Sequence, residues 1–155
     1  MFKNILLLCT GNICRSPIAE AVLRERLYQS PGASISSAGT AALVGQPADP
    51  LAVEVAARYG FDLGAHRGRQ ADPGVLLGAD LILAMTREHA DWVNTRMPQL
   101  RGRVQLLGRW RDLEVPDPYG HPREAFAEVF EQIDDCVSDW VPRLTHEGTS
   151  PPAET

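Results

Sequence analysis

The chain alternates between short apolar runs and longer stretches in which apolar residues recur every three or four positions. The runs of strand length cover residues 3–8, 33–38, 80–85 and 104–107. The first run ends at Cys9 and is apolar on both faces, a pattern typical of a parallel strand buried on both sides. The second run is the weakest of the four strand predictions.

Helices are predicted between these strands and after them. From Ser16 the apolar residues form one stripe, with Pro17 at the first helical position, which proline favours. Asp-Pro pairs at 49–50 and 72–73 each combine an N-cap residue with a first-turn proline. Further helices are predicted near residues 86–95 and over 126–144, where the apolar spacing is clearest.

This alternation predicts right-handed βαβ units and a doubly wound parallel sheet of α/β class. Ligands of such sheets bind beyond the carboxyl ends of the strands, and the end of the first strand at Cys9 therefore points to the site. The length of 155 residues fits one domain, expected over residues 1–144, with a flexible polar tail over 145–155.

Composition excludes several classes of function. A net charge of −5, from 15 basic and 20 acidic residues, argues against nucleic-acid binding, which needs a basic surface. The apolar runs are far shorter than the ~20 residues of a membrane span. No signal-peptide pattern opens the chain, so we expect a cytoplasmic protein without membrane insertion. Its three cysteines (Cys9, Cys14 and Cys136) fit neither a disulfide framework nor zinc-ligand spacing, and no metal or cofactor is expected.

Candidate chemistry lies in residues 9–17, Cys-Thr-Gly-Asn-Ile-Cys-Arg-Ser-Pro, between the first strand and the first helix. Gly11 is predicted to supply a positive φ, and Asn12 tolerates one. A loop of this kind turns backbone N–H groups inward, and the helix start adds its positive end, so that an anion of about phosphate size can bind. Arg15 can close the site with a bidentate fork.

Cys9 lies at the start of this loop and is a candidate nucleophile. The positive surroundings favour its thiolate, and Ser16 is placed to donate a hydrogen bond to it. Such a nucleophile behind a bound tetrahedral anion suits covalent phosphoryl transfer without a metal. Taken alone, Cys9 is more typical of a buried strand-end residue than of a nucleophile, and Arg15 of a surface ion-pair residue, but the complete loop favours function.

Asp117, in Val-Pro-Asp-Pro-Tyr-Gly at 115–120, is the candidate acid for a leaving oxygen. The flanking prolines stiffen its backbone, as a side chain over a pocket requires. The same segment is equally consistent with a simple turn before the last helix.

The loop, with Ala-Glu-Ala following at 19–21, resembles that of the low-molecular-weight protein-tyrosine phosphatases. Similar segments follow in the same order over nearly the whole chain, from about Phe2 to Trp140. They are Ser-Ala-Gly-Thr at 37–40, the Asp49-Pro50 helix start, His66-x-x-Arg69-Gln70 and Asp-Pro-Tyr at 117–119. The resemblance implies a four-stranded parallel sheet with flanking helices, and phosphotyrosine hydrolysis with inorganic phosphate as product.

It also implies a role for each matching residue. Cys9 would be the nucleophile, Arg15 the clamp on phosphate and transition state, and Asp117 the general acid and then the base that activates water. The resemblance implies a pocket formed by Thr10, Gly11, Asn12, Ile13, Cys14, Ser16, Leu43 and Tyr119. A hydrogen-bond network of Asn12, Ser16, Ser37 and His66 would maintain the loop.

Cys14 is the second cysteine of the family's loop, and the resemblance suggests a reversible disulfide with Cys9 that prevents over-oxidation. Cys136 is interpreted as helix core. Leu43 stands where many members carry an aromatic residue, and Tyr119 is followed by Gly120 rather than by a second tyrosine. Both departures resemble the bacterial branch associated with tyrosine autokinases of capsule and exopolysaccharide export, which implies such a kinase as substrate.

Three other functions are compatible with this loop. Arsenate reductases need two further cysteines in mid-chain, and none lies between Arg15 and Asp135. Protein-arginine phosphatases imply threonine where this chain has Ile13, so that an apolar residue there favours phosphotyrosine. A non-catalytic phosphotyrosine-binding or redox-sensing module would be favoured by the loss of Cys9, Arg15 or Asp117, all of which are present.

Overall fold

The computed structural model describes residues 2–29 and 32–145. Strands and helices alternate along this part of the chain. In order they are β1 (Asn4–Cys9), α1 (Arg15–Arg26), β2 (Ser34–Gly39), α2 (Pro50–Arg58), α3 (Pro73–Leu77), β3 (Leu81–Ala84), α4 (Arg87–Arg96), β4 (Val104–Leu106) and α5 (Arg123–Thr145). Two 3-10 helices that the sequence pattern did not predict cover Pro98–Arg103 and Arg109–Arg111.

All neighbouring strands are parallel, in the order β2-β1-β3-β4. The predicted doubly wound α/β sheet is therefore confirmed. Alternate side chains of β1 enter two separate cores, because successive strand residues point to opposite faces. Ile5 and Leu7 pack with apolar residues of α1, α2 and α5, whereas Leu6 and Leu8 pack with those of α3 and α4. Burial on both faces explains why this strand is apolar throughout.

Helix starts follow the capping chemistry that the sequence indicated. Asp49 accepts a hydrogen bond from the backbone N–H of Leu51, and Asp72 accepts one from that of Val75. The helix predicted to start near Ser16, with Pro17 as its first residue, begins at Arg15. Pro17 therefore occupies the third helical position, still within the first turn, where a helix does not need its N–H.

Helix α5 continues through Pro142 to Thr145 and covers one face of the sheet with its apolar side. Cys136 is fully buried on it, as the sequence suggested. The tail was predicted over residues 145–155, but Thr145 is the last residue of α5, and residues 146–155 lie outside the described residues. No helix in the part of the chain that the structure describes is long and apolar enough to cross a membrane.

The strand order determines where on the sheet a ligand site is expected. The chain leaves β1 toward β2 on one side and enters β3 on the other, so the carboxyl ends of β1 and β3 form the switch point where doubly wound sheets bind ligands. Backbone hydrogen bonds join the connecting loops there: Thr40 donates to the carbonyl of Cys9, and Val115 donates to that of Met85.

Candidate active site

The loop of residues 10–14, called the anion loop below, is fixed from outside through its carbonyl groups. The backbone N–H groups of Ala41, Leu43 and Asp49 donate to the carbonyls of Thr10, Gly11 and Ile13 over 2.8–3.0 Å. A peptide group points its N–H away from its carbonyl, so the N–H groups of this loop turn inward. Within the described part of the chain, the backbone N–H groups of residues 11–15 have no protein acceptor. Their convergence makes an anion site of the kind found at helix N-termini.

Asn12 supplies the left-handed backbone conformation of the anion loop. Its φ is +60°, whereas Gly11 is not among the residues with positive φ. The prediction that Gly11 supplies the positive φ is therefore wrong by one residue. An asparagine tolerates this conformation because its amide can replace the local backbone hydrogen bonds. A Cβ atom on Gly11 would lie 3.7 Å from the Ile13 side chain, an ordinary contact distance.

The side chain of Asn12 is completely buried and fully hydrogen-bonded. Its amide N–H groups donate to Ser16 Oγ (2.8 Å) and Ser37 Oγ (3.0 Å), and its Oδ1 accepts from the backbone N–H of Arg69 (2.8 Å). The backbone carbonyl of Asn12 accepts from His66 Nε2 at 2.6 Å. The structure thus brings Asn12, Ser16, Ser37 and His66 together around one loop, which suits the supporting network that the resemblance implied.

Ser16 links this network to Cys9. The two side-chain atoms Ser16 Oγ and Cys9 Sγ are 2.8 Å apart, and both residues are buried. Because Ser16 Oγ already accepts from Asn12, its own proton is free to donate to the sulfur. The Ser16 hydroxyl is thus placed as a hydrogen-bond donor to the Cys9 sulfur.

Arg15 points its guanidinium across the same pocket from the first turn of α1 and is only 4% exposed. One terminal nitrogen donates to the Val115 carbonyl at 2.9 Å, and the other lies 3.4 Å from Thr10 Oγ1 and 3.7 Å from Asp117 Oδ2. Val115 therefore orients the guanidinium through its backbone alone. No sequence pattern around Val115 could have predicted this contact.

Asp117, Tyr119 and Leu43 form the exposed outer wall of the pocket. Asp117 Oδ1 accepts from the backbone N–H of Tyr119 at 3.0 Å, a short turn that aims the carboxylate at the pocket. Its side chain is 53% exposed. Tyr119 and Leu43 are also exposed.

These parts enclose a cleft of about 290 Å³. The lining contains Cys9, Arg15 and Asp117 together with most of the predicted pocket residues. The complete set is Cys9, Thr10, Gly11, Ile13, Cys14, Arg15, Ala41, Leu43, Asp117 and Tyr119. Two predicted pocket residues, Asn12 and Ser16, do not line it and lie behind the loop instead.

Cys14 faces the pocket from the end of the anion loop and is buried. Burial raises the pKa of its thiol, and the negative charges of Asp49, Asp117 and Cys9 raise it further, against the opposing effect of Arg15. Cys14 is therefore a neutral thiol beside a thiolate candidate. In the described residues no group of three or more His, Cys, Asp or Glu side chains is arranged to bind a metal ion.

Two polar residues of the site were missed by the sequence reasoning. Glu20, on α1, accepts from Ser37 Oγ and from Arg24, each at 2.5 Å, and so continues the network outward. His89, in the first turn of α4, is buried and lies 2.8 Å from Thr10 Oγ1. The position of His89 in the sequence could have indicated its place in the site. It follows β3, the strand beside β1, so its helix begins at the same edge of the sheet as the anion loop.

Comparison with known proteins gives one consistent family. The family model described as low molecular weight phosphotyrosine protein phosphatase matches residues 4–150. Among curated proteins, the low molecular weight protein-tyrosine-phosphatase Etp of Escherichia coli K12 is 43% identical over 145 residues, which cover 93% of this chain and 96% of that protein.

Solved structures agree. Wzb of Vibrio vulnificus in complex with benzylphosphonate superposes with a TM-score of 0.87 at 36% identity, covering 92% of this chain and 99% of that one. The arginine phosphatase YwlE of Bacillus subtilis has the same TM-score of 0.87 at 26% identity, covering 93% and 97%. The names of these relatives state two activities, protein-tyrosine phosphatase for Etp and arginine phosphatase for YwlE.

Proposed function

The chain belongs to the low-molecular-weight protein-tyrosine phosphatase family, and from this premise we propose that it hydrolyses phosphotyrosine through a phosphocysteine on Cys9. Arg15 is the phosphate clamp in this proposal, and Asp117 is the general acid and base. The single observation that carries it is the convergence of buried Arg15 and the inward N–H groups of residues 11–15 on a pocket that begins at Cys9.

The first step transfers the phosphoryl group to sulfur. The Cys9 thiolate attacks phosphorus, the S–P bond forms, and the bond to the tyrosine oxygen breaks with its electron pair going to that oxygen. Asp117, 3.7 Å from Arg15 at the pocket mouth, gives the departing phenolate its proton. The loop N–H groups and the guanidinium stabilise the equatorial oxygens, whose charge is greatest in the transition state.

The second step releases phosphate. Asp117, now a carboxylate, takes a proton from a water molecule whose oxygen attacks phosphorus, and the S–P bond breaks with its electron pair returning to sulfur. Ser16 assists this departure because its hydroxyl donates to the sulfur at 2.8 Å. The products are inorganic phosphate and a Cys9 thiolate ready for another cycle.

The walls of the pocket support an aromatic substrate. Ile13 and Leu43 offer apolar surface in the pocket, and the exposed ring of Tyr119 also lines it and is available for stacking on a phosphotyrosine ring. We also assign substrate contacts to Thr10, Gly11 and Cys14.

We further propose that the physiological substrate is a tyrosine autokinase of polysaccharide export. The support is Leu43 at the pocket wall and the single tyrosine of the Asp-Pro-Tyr-Gly segment, together with the identity to Etp. A thiolate nucleophile requires a reducing compartment, which supports action in the cytoplasm. The neighbouring Cys14 supports a protective Cys9–Cys14 disulfide under oxidation.

The decisive experiment compares the wild type with Cys9→Ser on a phosphotyrosine peptide, at mildly acidic pH and with EDTA present. Loss of the nucleophile should lower turnover by at least about 10⁴-fold, while binding of inorganic phosphate, measured by calorimetry, persists. Cys136→Ala is the matched control, since it removes a buried cysteine outside the site. An inactive, fully reduced wild type would overturn the tyrosine assignment, and phosphoarginine would be the next substrate to test.

A further inference from the structure

His89 makes two side-chain hydrogen bonds that connect α4 to the anion loop. Its Nδ1 lies 3.0 Å from the hydroxyl of Thr86, the N-cap of α4, and its Nε2 lies 2.8 Å from the hydroxyl of Thr10. The side chain is buried, so both ring nitrogens are satisfied by protein groups rather than by solvent. Such a fully bonded buried imidazole has one preferred orientation.

Hydrogen bonding favours one tautomer of His89. Thr86 Oγ1 accepts the backbone N–H of His89 as part of the helix cap. Its hydroxyl proton is available to Nδ1, and in that arrangement the ring proton is on Nε2. The Nε2–H group of this tautomer donates to Thr10 Oγ1.

The Thr10 hydroxyl connects His89 to Arg15. Its hydroxyl oxygen faces Nη2 of Arg15 at 3.4 Å as well as Nε2 of His89 at 2.8 Å. With both donors directed at the oxygen, the hydroxyl cannot rotate freely. The other terminal nitrogen of Arg15 is fixed by the Val115 carbonyl. Two sides of the guanidinium are thus constrained, one by backbone and one by the His89–Thr10 pair.

The charge state of the ring agrees with this arrangement. Burial and the nearby Arg15 lower the pKa of His89 from 6.5 to about 4, and the weaker opposing effects come from Asp117 and Glu114. The imidazole is therefore neutral at neutral pH. It adds a hydrogen bond beside the guanidinium without adding a second positive charge that would repel it.

We propose that His89 is a positioning residue of the phosphatase, which acts through the Thr10 hydroxyl to orient the Arg15 guanidinium for the transition state. This inference rests on the proposed function, because it requires Arg15 to be the phosphate clamp. It predicts that the contribution of His89 appears in transition-state binding more than in ground-state binding.

The test uses inhibition constants, which do not depend on the fraction of enzyme that is folded. In His89→Leu the inhibition constant of vanadate, a transition-state analogue, should rise about 10-fold, and that of inorganic phosphate less than about threefold. The kcat for p-nitrophenyl phosphate should fall about 10-fold with a smaller change in KM. In His89→Gln, whose amide can still donate to Thr10, both inhibition constants, kcat and KM should stay within about threefold of the wild-type values.

Two further variants separate positioning from stability. Val93→Ala removes a buried side chain one turn along the same helix; it should lower Tm and leave both inhibition constants unchanged. Thr10→Val should by itself weaken vanadate inhibition about 10-fold, and adding His89→Leu should then change it by less than about twofold. The measurement on Thr10→Val by itself remains informative even if His89→Leu fails to fold.

An unchanged vanadate inhibition constant in both His89→Leu and Thr10→Val would overturn the inference. So would a double variant in which His89→Leu raises that constant about 10-fold again on top of the effect of Thr10→Val. An inactive wild type would instead overturn the proposed function, so the two failures are distinguishable.

Discussion

The two sides of the pocket are built in opposite ways. The anion loop side is buried and extensively hydrogen-bonded: Asn12 is 0% exposed and makes four hydrogen bonds. The opposite side, called the rim, consists of Leu43, Asp117 and Tyr119. Their side chains are exposed, and Asp117 makes one local hydrogen bond to Tyr119 and a 3.7 Å ion pair.

This difference matches the two tasks of a phosphatase. Stabilising a transition state requires donors that are already in place, because reorientation during the reaction would cost free energy. Admitting a protein side chain requires an accessible wall with few fixed partners. We therefore expect changes in the anion loop side to alter catalysis and fold stability, and changes in the rim to alter substrate use with little effect on stability.

Among changes that keep the Cys9 nucleophile, the largest effect is expected from Arg15→Lys. Lysine keeps the charge but lacks the planar fork, so it cannot bond Val115 and two phosphate oxygens together. We expect kcat for p-nitrophenyl phosphate to fall about 10³-fold, equivalent to about 4 kcal/mol. Arg26→Lys, on the same helix but paired at the surface with Asp134, is the control. A loss under about 10-fold would mean that charge alone suffices.

On the rim, Asp117→Asn should lower kcat/KM for phenyl phosphate about 100-fold, because phenolate is a poor leaving group that depends on protonation. The loss should shrink as the leaving group improves, so the measurement is a series of aryl phosphates. The variant keeps the bond to the N–H of Tyr119, and Tm should not change. Asp112→Asn, an exposed aspartate outside the pocket, serves as control; equal losses across the series would exclude Asp117 as the acid.

Stability should depend on pH through His89. Its pKa is lowered from 6.5 to about 4 in the folded protein, so below pH 6.5 the unfolded chain binds a proton that the folded one does not. The free energy of unfolding therefore falls as pH is lowered from 6.5 toward 4.

Urea unfolding checks this dependence. Between pH 7 and pH 5 the wild type should lose about 2 kcal/mol more than His89→Gln. The exposed His121 provides the control His121→Gln, which should keep the wild-type slope. Parallel pH dependence in the wild type and His89→Gln would contradict the buried neutral imidazole.

The smallest effect is expected at Tyr119. Tyr119→Leu should raise KM for a phosphotyrosine peptide about fivefold, which corresponds to the loss of about 1 kcal/mol of ring stacking. Tyr28→Leu changes another exposed tyrosine, one that does not line the pocket, and should leave KM unchanged. A fall in Tm or kcat instead of a rise in KM would show that Tyr119 supports the loop rather than the substrate.

The anion loop was predictable because its parts are contiguous. Cys9, Asn12, Arg15 and Ser16 lie within eight residues, and the strand before them and the helix after them both have clear patterns. Two details there differ from the prediction by one or two residues: the positive φ belongs to Asn12 rather than Gly11, and Pro17 is the third rather than the first residue of α1. Local sequence patterns leave such shifts open, because backbone conformation depends on which neighbouring groups accept and donate.

The amino-acid sequence by itself determined the α/β class, the strand-loop-helix unit and the chemistry of that unit, because hydrophobic period, caps and loop residues act over short distances. Only the tertiary structure decided that His89, Val115 and Glu20 belong to the site. His89 and Val115 come from other segments, and Glu20, although it lies on α1, bonds to Ser37 of β2; each hydrogen bond joins residues that are distant along the chain. Such contacts depend on strand order and on packing between distant segments, which no local pattern records.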